Sequence, residues 1–294
     1  MGRDDRFRKV PMPKKDATDG ERLCTHFKKE VIDRDIWPTL RTALSATGRD
    51  EEWAIFVEEV VSTHLTGRVI SAGASIAGEL GGRLAIDTLE FKQRMRNVID
   101  ETTQYSLGSR KAKDRVFDLT TRAVRATFGS VAEADDRILR AEADRPFRCF
   151  LCNRKLVMVQ GQDVQYLSEE DRELAVEYEH VWPRSYGGNT VYDNLALSCH
   201  GCNQRKSNFA NWAMVDVQSL ILGWNPSDDA LQRVAGGRRF ALISRKVFHL
   251  AHEASLTLKQ AHLRIQSRIT TKPQVRRRAD TVDFFNLTCL SGDD

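Results

Sequence analysis

Residues 149–152 read CFLC, and residues 179–208 read EHVWPRSYGGNTVYDNLALSCHGCNQRKSN. The two segments carry one Cys-x-x-Cys pair each, and a Glu-His dipeptide lies between the pairs. One Cys-x-x-Cys turn directs two thiolates at one ion, and two such turns complete a closed tetrahedral zinc site. The pattern therefore predicts a structural zinc ion with a small module folded between its ligands. The predicted ligands are Cys149, Cys152, Cys199 and Cys202.

Two other states of these cysteines are open, namely disulfides and thiols buried as small apolar groups. The chain begins without an apolar secretory segment, which favours a reducing cytoplasmic location where disulfides are rare. Cys24 and Cys289 have no Cys-x-x-Cys partner and are expected to be free thiols.

The segment between the cysteine pairs has the pattern of a strand, a loop, a second strand and a helix. Residues 174–179 are apolar and β-prone enough for a short strand that ends at the Glu-His dipeptide. The Gly-Gly-Asn run at 187–189 is a turn signal that opens a loop. Residues 195–197 can form the return strand, and a helix is predicted from His200 to about Trp212.

With this arrangement, residues 147–212 resemble the HNH endonucleases, the ββα-metal nuclease group. The resemblance implies that His180 is a general base and that Asn194 orients this histidine and its loop. It also implies that Glu179 and Asn203 are ligands of a catalytic cation. The cation is expected to be Mg²⁺ or Mn²⁺, because a carboxylate and an amide oxygen suit hard ions better than zinc.

The residue types agree with phosphodiester hydrolysis independently of the family. A histidine with a pKa near 6.5 can take a proton from water at neutral pH. A hard divalent cation can polarise the phosphate and neutralise the leaving oxygen. Arg184, Arg205 and Lys206 are expected to contact phosphates of the nucleic acid. His200 is left out of the zinc shell, because four cysteines already fill it.

The rest of the chain is expected to be mostly helical and to flank the module on both sides. We predict a mobile basic arm at 1–20, an N-terminal helical domain at 21–145, the nuclease module at 146–212 and a C-terminal helical extension at 213–294. The expected class is therefore α+β, with helical flanks around a zinc-stabilised ββα-metal module.

Apolar residues at helical spacing predict individual helices in these flanks. One stripe runs from Trp53 to Val61, another from Val116 to Thr127, and a long one from Ile243 to Ile265. The small-residue tract at 73–82 lacks the Gly-Lys-Ser/Thr ending of a phosphate-binding loop. It is expected to give close helix packing or a flexible joint.

Composition sets the outer limits on function. The chain has 294 residues and 29% charged residues, which is ordinary for a soluble globular protein. Its formal net charge of +4 permits nucleic-acid binding but does not indicate it. No run of about 18 apolar residues occurs, so a membrane span is not expected.

The sequence therefore predicts a metal-dependent DNA endonuclease that nicks one strand per event or makes double-strand breaks through two events. Two alternatives stay open. One is a zinc-stabilised module that binds nucleic acid or a partner without catalysis. The other is an RNase, because nothing in the motif distinguishes ribose from deoxyribose. The resemblance further implies a bacterial anti-phage defence effector with a regulatory partner protein.

Overall fold

A computed structural model describes residues 14–30, 50–103, 109–129, 147–158, 167–211, 214 and 227–265. Within these residues, helices surround one two-stranded antiparallel sheet, so the predicted α+β class is confirmed. In the same residues, no helix combines the length and apolar character that a membrane crossing requires.

Four helices form an N-terminal bundle: α1 (Asp19–Phe27), α2 (Asp50–Glu79), α3 (Leu89–Thr103) and α4 (Arg110–Thr127). The predicted helices that contain the Trp53 and Val116 stripes correspond to α2 and α4 and are confirmed. Their shared core is apolar, and burial of each large side chain stabilises it by roughly 1.5–3 kcal/mol. Core residues from the four helices include Phe27, Ile70, Phe91, Met95 and Leu119.

The small-residue tract gives close helix packing at its first glycine. A Cβ on Gly73 would lie 2.5 Å from Val124 Cγ2 and 3.0 Å from Met95 Sδ, so α2 can approach α3 and α4 only without a side chain there. The tract ends in Gly81 and Gly82, whose φ angles of +106° and +89° turn the chain out of the helix.

Between the flanks lies the small module predicted from the cysteine pairs. It contains α5 (Glu169–Glu173), β1 (Val176–His180), β2 (Leu195–Cys199) and α6 (His200–Lys206). The strands pair antiparallel, with Val176 opposite Cys199 and His180 opposite Leu195. The predicted order of strand, loop, strand and helix is therefore confirmed.

The module helix is shorter than predicted. It ends at Lys206 because Ser207 adopts a φ of +47°, which no helix can continue. The predicted end near Trp212 lies outside the described residues.

The C-terminal flank consists of α7 (Asp228–Glu253) and α8 (Leu258–Ile265). The prediction of one long helix from Ile243 to Ile265 is wrong. Ser255 adopts a φ of +50°, and Thr257 and Gln260 cap the new helix reciprocally. These hydrogen bonds satisfy two backbone N–H groups at the start of α8, which have no carbonyl partner within the helix because the chain breaks before it.

A second apolar core joins the module to α7 and α8. The module is too small for an independent core, so its apolar face is completed by the C-terminal flank. Module side chains in this core include Phe150, Trp182, Leu195 and Leu197, and helix side chains include Phe240, Val247, Phe248 and Leu258.

The described part of the predicted arm, residues 14–20, packs against the fold. Lys14 is 8% exposed and donates to Asp16 and Glu21, while the Lys15 amide donates to the Leu256 carbonyl. Residues 1–13, the predicted boundary at 145–146 and Cys289 lie outside the described residues.

Candidate functional site

The four predicted ligand cysteines converge. Their sulfur atoms all lie within 4.8 Å of one another, and the Cys152 and Cys199 sulfurs are 3.8 Å apart. Zinc–sulfur bonds of about 2.3 Å in a tetrahedron require sulfurs separated by about 3.8 Å. None of the four is in a disulfide, and the cluster fits one zinc ion.

Two chain features bring the cysteine pairs together. The first pair lies in a tight turn in which Cys149 N donates to Arg154 O at 3.0 Å and Asn153 has a φ of +60°. The Phe150 amide donates to Leu197 O at 2.9 Å, which fastens this turn to β2. The second pair follows directly, because β2 ends at Cys199 and Cys202 lies in the first turn of α6.

His180 is the last residue of β1 and is 8% exposed. Its Nε2 lies 3.0 Å from the Thr190 hydroxyl. Burial, and then the positive charges of Arg184 and Lys206, lower the pKa of His180 to about 4. The imidazole is therefore neutral at physiological pH and can accept a proton.

Asn194 fixes the loop that follows His180. It is 1% exposed, accepts from Trp182 N at 2.7 Å, and donates to Trp182 O and Asn189 O, each at 3.0 Å. The Asn194 side-chain amide thus joins Trp182, near the start of the loop, to Asn189, near its end. Because Thr190 follows Asn189, these bonds also hold the hydroxyl that contacts His180.

The N-terminal bundle docks on the same loop. The Gly20 amide donates to Gly187 O at 2.9 Å, and the Asp19 amide donates to Asn189 Oδ1 at 2.7 Å. A Cβ on Gly20 would lie 1.8 Å from Tyr186 O, so the start of α1 is in direct backbone contact with the loop. The N-terminal bundle therefore helps to hold the loop whose Thr190 hydroxyl contacts His180.

Glu179 forms a buried ion pair. Its Oε1 accepts from Lys206 Nζ at 2.5 Å, and Lys206 also donates to His180 O at 2.8 Å. Burial raises the pKa of Glu179 and lowers that of Lys206, and each charge opposes the shift of the other. Lys206 is 1% exposed, so its ammonium faces Glu179 and not solvent, contrary to the prediction of a phosphate contact.

Asn203 contacts a different carboxylate. Its Nδ2 donates to Glu177 Oε2 at 2.5 Å, and Glu177 Oε1 lies 2.7 Å from His200 Nδ1. Alternation along β1 places Glu177 and Glu179 on one face, and α6 packs on this strand. The two predicted cation ligands thus belong to one surface, although Glu179 and Asn203 each contact another partner.

The two predicted arginine contacts are exposed beside this surface. Arg184 Nη1 donates to Gly129 O at 3.0 Å, and Arg205 Nη2 donates to Glu173 Oε2 at 3.1 Å. The exposed ion pair of Arg205 is weak, and the contact of Arg184 is with a neutral carbonyl, so a phosphate can compete for either guanidinium.

Three residues of the site were not identified from the sequence: Glu177, Asn189 and Thr190. The period of two along β1 from Glu179 is a signal that could have identified Glu177. Asn189 and Thr190 carry no such signal, because their partners lie on α1 and across the loop.

Comparison with protein families gives one result. Residues 167–209 match the family model described as HNH endonuclease, a span that includes β1, the loop, β2 and α6. The first cysteine pair and both helical flanks lie outside the match. Neither the curated proteins nor the solved structures gave a match. The chain therefore carries an HNH endonuclease domain at residues 167–209.

Proposed function

We propose that this protein is a metal-dependent endonuclease that hydrolyses phosphodiester bonds in DNA. One observation carries the proposal. A neutral, buried His180 ends β1 of an HNH domain, beside a surface where carboxylates and the Asn203 amide meet. A base and a set of hard oxygen donors are the two components that this hydrolysis needs.

His180 acts as the general base. In the tautomer that this role requires, Nε2–H donates to the Thr190 hydroxyl and Nδ1 keeps a free electron pair. Nδ1 takes a proton from water, the water oxygen attacks phosphorus, and the bond to the 3′ oxygen breaks. The leaving oxygen is protonated from solvent. Asn194 keeps the imidazole and its loop in position through its bonds to Trp182 and Asn189.

Glu179 and Asn203 supply oxygen donors for one divalent cation, either Mg²⁺ or Mn²⁺. A carboxylate and an amide carbonyl suit both ions. When bound, the cation neutralises charge on the phosphate and on the leaving oxygen. Lys206 holds the Glu179 carboxylate in a fixed orientation.

Arg184 and Arg205 supply contacts with backbone phosphates. Both are exposed, and phosphate contacts position a duplex without reading its sequence. The four cysteines would hold a zinc ion with no open coordination position, so the ion would fold the module and would not bind substrate.

A second candidate is a zinc-stabilised module that binds nucleic acid or a protein without catalysis. The observation that favours it is that Glu179 contacts Lys206 and Asn203 contacts Glu177, so each proposed cation ligand already has a partner. An RNase is the third, because the described site contains no group that selects the sugar.

These candidates are separated by one assay. Zinc-loaded protein is incubated with supercoiled plasmid, or with an RNA of similar length, with Mg²⁺, with Mn²⁺ or without added divalent ion. We expect cation-dependent conversion of the plasmid to the nicked form. Binding in gel shift without conversion would support the non-catalytic module, and cleavage of RNA alone would support the RNase. Chelators are avoided because they also remove zinc.

On the basis of the family resemblance, we also propose a cytoplasmic location, a role in phage defence and a regulatory partner protein. Plating of phage on cells that express the wild type or a His180→Ala variant tests the defence role. We expect lower plating efficiency with the wild type alone.

A further inference from the structure

The face of β1 that α6 covers holds two carboxylates. Glu177 and Glu179 are separated by one residue, and strand residues two apart point the same way. From α6, His200 and Asn203 reach Glu177, and Lys206 reaches Glu179. One amide, one imidazole and one ammonium therefore lie opposite two acids on a single surface.

The charges on this surface bear on which carboxylates can hold a cation. Glu179 and Lys206 form an ion pair at 2.5 Å, so their charges cancel. A divalent ion bound through Glu179 and the neutral Asn203 alone would gain little electrostatic attraction, because the Lys206 ammonium offsets much of the Glu179 charge. Glu177 supplies the net negative charge that a hard cation requires, and Mg²⁺ sites commonly use one or two carboxylates.

Accessibility also distinguishes the two acids. The Glu177 side chain is 32% exposed, whereas those of Glu179 and Lys206 are 12% and 1% exposed. An ion arriving with its water shell can reach Glu177 with little rearrangement. Asn203 Nδ2 lies 2.5 Å from Glu177 Oε2, so the oxygen of the same amide group is also near this carboxylate, and rotation of the amide would turn it toward a shared cation.

We propose that Glu177 is a second carboxylate ligand of the catalytic cation, together with Glu179 and Asn203. This inference rests on the proposed function, because it concerns the cation of that reaction. On binding, the ion replaces the His200 and Asn203 nitrogens as the partner of Glu177. The alternative is a structural role in which Glu177 only fastens α6 to β1 by hydrogen bonds.

Manganese binding separates these roles. Mn²⁺ affinity is measured by electron paramagnetic resonance of the free ion, on zinc-loaded wild type, Glu177→Gln and Glu170→Gln. Glutamine keeps one acceptor oxygen, which can still bind Asn203, and removes the charge and the second acceptor, which faces His200. Glu170 is an exposed acid on α5 and serves as the matched control. Melting temperature and zinc content are measured on every sample.

We expect Glu177→Gln to weaken Mn²⁺ binding by about tenfold or more, the usual cost of losing a group at a metal site. Glu170→Gln should stay within about twofold of the wild type, as expected for a remote exposed charge. Wild-type affinity in Glu177→Gln would overturn the inference and leave Glu177 with the structural role. A fall in melting temperature without a fall in affinity would do the same.

The outcome is distinguishable from failure of the proposed function. Plasmid cleavage by the wild type, together with unchanged Mn²⁺ affinity in Glu177→Gln, would reject the ligand and keep the nuclease. Weaker Mn²⁺ binding in Glu177→Gln, without cleavage by the wild type, would keep the cation site and reject the nuclease. Absence of Mn²⁺ binding by the wild type at millimolar concentration would reject both.

Discussion

Replacement of Lys206 by methionine tests how much the buried ion pair with Glu179, next to the proposed base His180, stabilises the fold. Methionine keeps most of the aliphatic side chain, so the change removes the ammonium and its bonds to Glu179 and the His180 carbonyl. Glu179 is 9% exposed and would lose its ion pair with Lys206 while remaining buried. Breaking a buried pair from one side costs about 3–5 kcal/mol, so we expect the free energy of unfolding to fall by that amount.

The assay is urea unfolding of zinc-loaded protein at pH 7.5, with Lys155→Met as the matched control. Lys155 is an exposed lysine of the same module, and its replacement should change the free energy of unfolding by less than about 0.5 kcal/mol. The double variant Lys206→Met/Glu179→Gln should recover most of the loss, because no charge is then left buried without a partner.

The loss should also depend on pH in a defined direction. Burial already raises the pKa of Glu179 in the folded protein, and removal of Lys206 raises it further. A carboxyl whose folded pKa exceeds its unfolded value destabilises the fold most at high pH, where it must be buried with its charge. The deficit of Lys206→Met should therefore shrink as the pH falls from 8 toward 5.

Two results would refute this reasoning. A loss below about 1 kcal/mol at pH 7.5 would mean that the Glu179 carboxylate reaches water when the ammonium is removed. A double variant as unstable as Lys206→Met would mean that the lysine stabilises the fold through its stem and its bond to the His180 carbonyl.

Three further predictions concern packing, zinc and pH. Gly20→Ala should destabilise the protein by about 1–3 kcal/mol and slow cleavage, because its Cβ would overlap Tyr186 O in the loop that follows His180. Gly78→Ala is the control: it has open space around it in α2 and should stabilise the protein by up to about 1 kcal/mol. Equal melting temperatures of the two variants would contradict the contact of α1 with the loop. Cys152→Ser should lose the bound zinc and unfold at lower temperature, measured by metal analysis and thermal melting; full zinc content would exclude the Cys₄ site. The pKa of His180 is lowered to about 4, so kcat/KM for cleavage should stay level as the pH is lowered through 6.5. A general base with the ordinary pKa of histidine would instead lose activity with an inflection near pH 6.5.

Local sequence was sufficient to predict the centre of the module. Two Cys-x-x-Cys pairs specify their own geometry, since each turn needs only its neighbouring residues and one ion. The β-prone run before His180 and the turn at 187–189 are likewise short-range signals, and β1 and the loop lie where they were predicted. For the same reason the helical stripes in α2 and α4 were recognised.

Features set by distant parts of the chain could not be predicted. Lysine is a residue type that is usually exposed, and Lys206 is buried beside Glu179 only because α6 packs on β1. The contact of Asp19 with Asn189 joins residues 170 positions apart, and neither has a local pattern that specifies the other. The break between α7 and α8 depends on one residue with positive φ and one reciprocal cap within an otherwise helical stripe.

The most direct test of the account is the cation-dependent nicking rate of His180→Ala relative to the wild type. His249→Ala serves as control, since His249 lies exposed on α7 and pairs with Glu253. Removal of a general base typically slows a reaction by 10²–10⁴-fold. We predict a loss of at least about 100-fold in folded, zinc-loaded His180→Ala, with the control at the wild-type rate. Equal nicking by all three proteins would contradict the account, because the activity would then not depend on His180.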